Sequence, residues 1–241
     1  MVDAIMLGKA MRIYRERGLK ALVKSAASLA RRKLGGTGLD SLILTPYACL
    51  EFKSTSSWRD ALDYVLSEKT VAKMIRPMQV REEITALLSL LESVKPRTIL
   101  EIGTARGGTL FLFSRIASDD ALIISVDLPG GLFGGGYPYL KTFLYRCFAR
   151  TKQKIVLLRE DSHSEETLSK VRKHLNGRGV DSLFIDGDHS YEGVKRDFEM
   201  YSPLVKKGGI IAFHDIVPGP PENVGGCSSI LAGSKAEIQA C

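Results

Sequence analysis

At Lys95-Pro96-Arg97 the hydrophobic period of this chain changes, and that change constrains the fold more than any other feature of its 241 residues. Before the breaker, Val80 to Ser93 places Ile84, Leu87, Leu88 and Leu91 at helical spacing. After it, short apolar runs alternate with helical stretches. The candidate strands are Thr98 to Ile102, Ala121 to Val126, Ile155 to Leu158, Ser182 to Ile185 and Gly209 to Phe213, with helices near Gly107 to Ala117, Glu165 to Leu175 and Tyr191 to Leu204. These runs are apolar throughout and rich in β-branched residues, where a strand wetted on one face would alternate. They suit strands of a parallel sheet covered by helices on both faces. The expected class is therefore α/β, a doubly wound, mostly parallel, Rossmann-like sheet whose ligands sit at the carboxyl ends of the strands.

The polar residues of interest fall at those ends. The first strand runs into Glu101-Ile102-Gly103-Thr104-Ala105-Arg106-Gly107, a turn whose small residues let a ligand approach the main chain. Asp127 closes the second strand 26 residues after Glu101, where a carboxylate can accept both hydroxyls of a ribose. The third strand ends in Arg159-Glu160-Asp161-Ser162, a polar cluster placed to meet an adenine edge. The fourth delivers Asp186, Asp188 and His189, and the fifth His214 and Asp215; as neighbours they bring five titratable groups to one edge of the crevice. Asp188 or Ser190 also reads as the cap of the helix from Tyr191, the better reading for Asp188. His163 and His174 read as solvated surface or local packing.

On Leu100-Glu101-Ile102-Gly103-Thr104-Ala105-Arg106-Gly107-Gly108, Val126-Asp127, Phe184-Ile185-Asp186-Gly187-Asp188-His189-Ser190-Tyr191 and Gly208-Gly209-Ile210-Ile211-Ala212-Phe213-His214-Asp215, the chain resembles class I S-adenosylmethionine-dependent methyltransferases. Within them it is most similar to the metal-dependent macrocin O-methyltransferase and cephalosporin-hydroxylase-like group, over about Gln79 to Gly226. The resemblance implies O-methylation of a hydroxyl on a sugar, glycolipid or other small molecule. It implies that Glu101, Gly103 and Ala105 border the methionine moiety, with Thr104 and Gly107 in the same turn. Asp127 would hold the ribose with Leu128 beside it, Asp161 and Ser162 would lie by the adenine, and Asp186 would also line the cofactor site. It further implies a divalent cation on Asp186, His214 and Asp215, with His189 as the base. Related enzymes carry an acid at position 214; an imidazole there weakens the case for magnesium and admits manganese, zinc or no metal. A nicotinamide-dependent dehydrogenase fits the turn worse, because position 105 is alanine rather than glycine. A catalytically silent, membrane-associated accessory protein with the same fold is the alternative from another class.

The flanks carry the charge. Residues 1–35 hold nine bases against two acids, which accounts for the whole formal charge of +7 and leaves the rest of the chain neutral. No nucleic-acid partner is expected, since a phosphate-binding face needs uncompensated Lys or Arg. Ala4 to Leu34 reads as a basic amphipathic helix, peripheral to an anionic membrane or packed on its own domain or a dimer mate. The expected organisation is a basic helical extension over 1–38, helical connecting or lid elements over 39–78, the cofactor domain over 79–216 and an irregular tail over 217–241. Leu128 to Pro138, with five glycines, reads as a flap that offers Phe133, Tyr137 and Tyr139 for stacking on an acceptor, followed by a helix over Tyr139 to Arg150. Cys49, Cys147, Cys227 and Cys241 form no Cys-x-x-Cys pair, so a reducing cytoplasm is the expected setting. Class I sheets usually gain two strands after the fifth; the tail shows no strand pattern, and a frameshift near Gly226 is our reading of that departure.

Overall fold

The computed structural model describes residues 38–130, 136–150 and 152–214, together with Ala21. The expected basic helix over 1–38, the centre of the flap with Phe133, Asp215 and the tail over 217–241 lie outside the described residues. From residue 38 onward, four helices precede the sheet among the described residues: α1 (Leu39–Lys53), α2 (Trp58–Val65), α3 (Thr70–Met74) and α4 (Arg81–Val94). Then strands and helices alternate as β1 (Thr98–Ile102), α5 (Gly108–Ile116), β2 (Leu122–Asp127), α6 (Lys141–Arg146), β3 (Lys154–Arg159), α7 (Glu165–Leu175), β4 (Val180–Ile185), α8 (Tyr191–Tyr201) and β5 (Val205–Phe213).

All five strands are parallel, in the order β3-β2-β1-β4-β5. The chain therefore reverses its direction of winding between β3 and β4, and the crevice opens beside β1 and β4, where doubly wound sheets bind ligands. Register brings the strand ends level: Ile102 pairs with Val126 and with Ile185, and Ile185 with Phe213. The start of β1 is pinned to β4 by Asp181, whose Oδ2 accepts from the backbone of Arg97 at 2.6 Å and Thr98 at 2.8 Å. Opposite Val180 and Ser182, β5 carries a bulge between Val205 and Ile210. The bulged residues Lys206, Lys207 and Gly208 are exposed, so polar sequence hid the first half of this strand.

Alternate strand residues divide the core into two layers. Ile99, Ile123, Phe184 and Ala212 face helices α1 to α6, whereas Leu100, Ile102, Ile124, Leu183 and Phe213 face α7 and α8 through Leu168, Val171, Val194 and Tyr201. Segment 39–78 is thus packed into the same core as the sheet. Phe52 at the end of α1 meets Phe111 at 4.9 Å and Phe148 at 5.1 Å between ring centroids, contacts worth about 0.5–1.5 kcal/mol each beyond their burial. Arg115, buried beneath them, donates to the carbonyls of Phe52 (3.0 Å) and Phe148 (2.7 Å), and burial pushes its pKa down to about 10. A guanidinium enclosed by carbonyls joins these segments without a carboxylate.

Local chemistry explains the helix ends. Ser57 and Asp60 form a reciprocal capping box on α2, and Ser164 and Ser190 accept from Glu166 and Gly193 at the starts of α7 and α8. Helix α1 is tolerated despite Pro46 in its interior; Pro46 and Leu42 are both on the exposed side, so the carbonyl that loses its partner can meet water. The helix expected over Tyr139 to Arg150 contracts to α6, six residues long. Two cysteines that gave no pairing signal are joined: Cys49 on α1 and Cys147 just after α6 form a disulfide, 98 residues apart in sequence, with Cα atoms 5.3 Å apart.

Candidate active site

The crevice is built from the turn after β1. Gly103 has φ of 90°, and a Cβ there would lie 1.9 Å from the carbonyl oxygen of Asp186, so β1 and β4 can meet only at a glycine. Gly107, at φ 83°, caps α5, and its absent Cβ leaves room for the Tyr145 ring. Ala105 sits between them at φ 44°, a left-handed conformation that costs an ordinary residue about 1–2 kcal/mol. Two bonds hold it there: its N–H donates to Asp127 Oδ2 at 2.6 Å, and its carbonyl accepts from Tyr145 Oη at 2.9 Å.

Asp127 does more than the sequence suggested. Its two oxygens accept four backbone N–H groups, from Thr104 (2.9 Å), Ala105, Leu128 (2.7 Å) and Gly136 (3.1 Å). The side chain expected to bind a ribose thus fastens the glycine turn to the flap, and a ribose would have to share it. Burial raises its pKa, and the four amides oppose that rise without cancelling it.

Glu101 is wholly buried one pleat below the turn, and neither carboxylate oxygen has a hydrogen-bond partner. Thr104 and Ser125, the adjacent hydroxyls, bond to each other. Burial above all holds the Glu101 pKa well above the usual carboxylate range; the nearby Ser125 hydroxyl opposes it, the charges of Asp127 and Asp186 add to the rise, and Thr104 opposes it least. A carboxyl group in this position is costly unless a donor or cation joins it.

At the other side of the crevice, Asp186 follows β4 and His214 follows β5. Asp186 Oδ2 accepts from Gln79 Nε2 at 2.6 Å, and Asp186 Oδ1 lies 3.1 Å from His214 Nδ1. Gln79 in turn accepts from Thr109 Oγ1 at 2.9 Å, which links the reaction edge to the first turn of α5. Glu83 of α4 stands 3.8 Å from His214 Nε2. Neither Gln79 nor Glu83 was a site candidate; both precede the sheet, and only the docking of the segment before α4, and of α4 itself, brings them in. The cap of α8 is Ser190, the other residue of the capping reading; Asp188 Oδ1 accepts only from Ser190 N at 2.8 Å, and His189 is exposed on the same loop. Among the described residues no group of three or more His, Cys, Asp and Glu side chains is placed to hold a metal ion, and Asp215 lies outside them.

The loop after β3 differs in one respect from the reading. Asp161 is exposed and accepts from His163 N at 2.9 Å, and Ser162 presents its carbonyl to Tyr201 Oη at 2.7 Å. His163, expected to lack polar company, approaches the fully buried Asp197 at 3.4 Å and the carbonyl of Gly193 at 3.2 Å. Asp197 raises the His163 pKa, more than partial burial lowers it. The flap reading also needs correction at Tyr137. That ring is 1% exposed and packs edge-on against Tyr145 at 4.9 Å, so it cannot stack on an acceptor, whereas Tyr139 is exposed. Arg159 holds this part of the flap down, donating to the carbonyls of Tyr137 at 3.0 Å and Pro129 at 3.2 Å.

Residues 100–216 match the family model described as a methyltransferase domain. Among curated proteins, the chain is 30% identical over 129 residues to an uncharacterized protein of Sinorhizobium fredii, a match covering 52% of this chain and 14% of that protein. It is 57% identical over 132 residues to an uncharacterized protein of Acanthamoeba polyphaga mimivirus, covering 49% of this chain and 51% of that one. The chain thus spans about half of one of these curated relatives and a seventh of the other. Solved structures with a similar backbone include an O-methyltransferase from Bacillus cereus in complex with SAH (16% identity, 73% of this chain and 80% of that chain, TM-score 0.47). Another is the O-methyltransferase TomG from Streptomyces achromogenes in complex with SAM (15%, 73% and 78%, TM-score 0.49). The stretch matched by the family model, a little under half of the chain, begins inside β1 and runs past the end of β5, so it takes in most of the five-stranded parallel sheet and its crevice.

Proposed function

We propose that this chain binds S-adenosylmethionine in the crevice between β1 and β4 and methylates a hydroxyl of a sugar, glycolipid or other hydroxylated small molecule. The observation that carries the reading is Glu101: a fully buried carboxylate with two unpartnered oxygens, directly under a turn that admits no side chain at Gly103. An α-ammonium group is the donor such a carboxylate lacks, and the turn leaves main-chain room for the rest of the ligand. When bound, S-adenosylmethionine supplies a methyl carbon on a positively charged sulfur. The residues of this chain then divide the work. Glu101 receives the ammonium, Asp127 shares its oxygens between the turn and the ribose, and Asp161 with Ser162 borders the adenine. Asp186, fixed by Gln79 and His214, shapes the side where the acceptor enters. A neutral hydroxyl is a poor nucleophile and must lose its proton as it attacks; His189, exposed on the loop after β4, takes that proton on its imidazole.

Asp186 and His214, two of the three residues expected to hold a cation, stand 3.1 Å apart at the ends of β4 and β5, and the third, Asp215, lies outside the described residues. No step is assigned to a cation.

Calorimetry with S-adenosylhomocysteine and with NAD in parallel tests the reading. Saturable binding of the first alone is expected; a folded sample that binds neither, or NAD only, overturns it. His189→Ala should lower kcat by about 10²–10⁴-fold with the Kd for S-adenosylhomocysteine unchanged. A rate unaffected by that substitution removes His189 as the base, and a rate lost on dialysis against EDTA returns Asp186, His214 and Asp215 to consideration as a cation site.

A further inference from the structure

One face of the molecule combines apolar exposure with neighbouring positive charge. On α1, Leu42, Ile43 and Leu50 are exposed with Pro46 between them, a stripe at helical spacing that the core does not use. Beside α6, Tyr139 and Phe143 are exposed too, with ring centroids 6.0 Å apart. The disulfide shows how the two stripes meet. Leu42 lies two turns before Cys49 on the same side of α1, and Phe143 one turn before Cys147, so the bond between the cysteines draws the stripes edge to edge. Arg146, one turn beyond Phe143, is exposed at the same border. A gathered apolar surface of this kind marks an interaction site more often than an idle surface.

We infer that this α1/α6 face docks on an anionic lipid bilayer. The charge decides the occupant. Thirty-seven residues lead into Gly38 at the start of α1, and the first 35 of them carry all of the chain's net charge of +7. An apolar face next to a polybasic segment is the combination that partitions into an anionic interface, with side chains entering the acyl boundary and bases meeting head groups. A second copy of this chain is the weaker occupant, because a symmetric dimer through this face would bring two segments of +7 together. The face also adjoins the crevice: a Cβ on Gly38 would lie 2.9 Å from Pro138, at the end of the flap. Docking therefore sets the crevice mouth close to the head groups. The inference does not depend on methyl transfer, and its test needs no cofactor.

The full chain is mixed with phosphatidylcholine vesicles, with and without phosphatidylglycerol, and its partition read by co-sedimentation, while light scattering gives its mass without lipid. Binding to the anionic vesicles and not to the neutral ones is expected. Ile43→Glu with Leu50→Glu should weaken it by more than about tenfold, since two exposed apolar side chains no longer enter the interface. Arg31→Glu, Arg32→Glu and Lys33→Glu together should have a comparable effect, and thermal melting should be unchanged in the Ile43 and Leu50 variant because both side chains are exposed. Vesicle binding that survives the Ile43 and Leu50 substitutions overturns the inference. So does a wild-type dimer that the same substitutions dissociate, which would assign the face to a second copy.

Discussion

Replacing Glu101 by Gln should make the ligand-free protein more stable and the cofactor complex weaker. In the wild type both carboxylate oxygens are buried without a partner, and an unsatisfied buried polar group costs about 1–3 kcal/mol, more when charged. An amide of nearly the same shape carries no charge to desolvate, and the repulsion from Asp127 and Asp186 falls away. The gain at neutral pH should be about 1–3 kcal/mol, or roughly 2–4 °C in Tm for each kcal/mol in a chain of this size. The pH dependence fixes the cause. The pKa of Glu101 is raised in the folded state, so the unfolded chain ionises it first, and the wild type loses stability as pH rises above the unfolded carboxylate value near 4.5. The difference between wild type and Glu101→Gln should therefore vanish near pH 4 and grow toward neutrality. Binding moves the other way. Loss of a charge-assisted hydrogen bond of about 1.5–3 kcal/mol should weaken S-adenosylhomocysteine by about 10- to 150-fold. Differential scanning calorimetry across pH, with titration calorimetry at neutral pH, measures both. A variant that melts lower than wild type at pH 7, or a stability difference that does not change with pH, would refute the claim that Glu101 is an unpartnered acid.

Reduction of the Cys49–Cys147 bond should destabilise the fold by up to about 4–5 kcal/mol, the loop-closure value for a separation of 98 residues, read as a lower urea midpoint with dithiothreitol; an unchanged midpoint would mean that the two thiols are not bonded. The His163–Asp197 contact should stabilise the protein at low pH and fade as pH rises from the unfolded histidine value near 6.5 through the higher folded one, because the folded state holds the proton more tightly. His163→Gln should flatten that part of the stability profile, and a profile identical to wild type would show that the pair does not form.

Much of the scaffold was legible because each strand is a local statement. Ile99-Leu100, Ile123-Ile124 and Leu183-Phe184 are apolar at consecutive positions, which only a sheet covered on both faces buries, and α7 has the bounds its sequence led one to expect, Glu165 to Leu175. Strand β5 began four residues earlier than its apolar run because Lys206 and Lys207 sit in an exposed bulge, where polar side chains cost nothing. Helix α1 falls in the segment read only as helical connecting or lid elements, and its bounds were not legible for a related reason: Pro46 and an outward apolar stripe blur its period, while Asp40 and Ser41 are buried. The strand-end residues Glu101, Asp127, Asp186 and His214 were readable from topology, since a parallel sheet presents the carboxyl ends of all its strands on one side.

The roles of those residues were not readable, because a role depends on neighbours distant in sequence. Asp127 looked free to take a ribose, yet the flap returns Gly136 to it; Asp186 gave no sign that Gln79, 107 residues away, donates to it. Tyr137 was read as a ring for stacking on an acceptor, whereas Tyr145 gives it a place inside. Backbone periodicity and strand order are set by short-range preference and the hydrophobic pattern, which a linear sequence displays. Which buried carboxylate finds a donor, and which remains without one as Glu101 does, is set by how helices from distant parts of the chain settle on the sheet, and that is a property of the packed molecule alone.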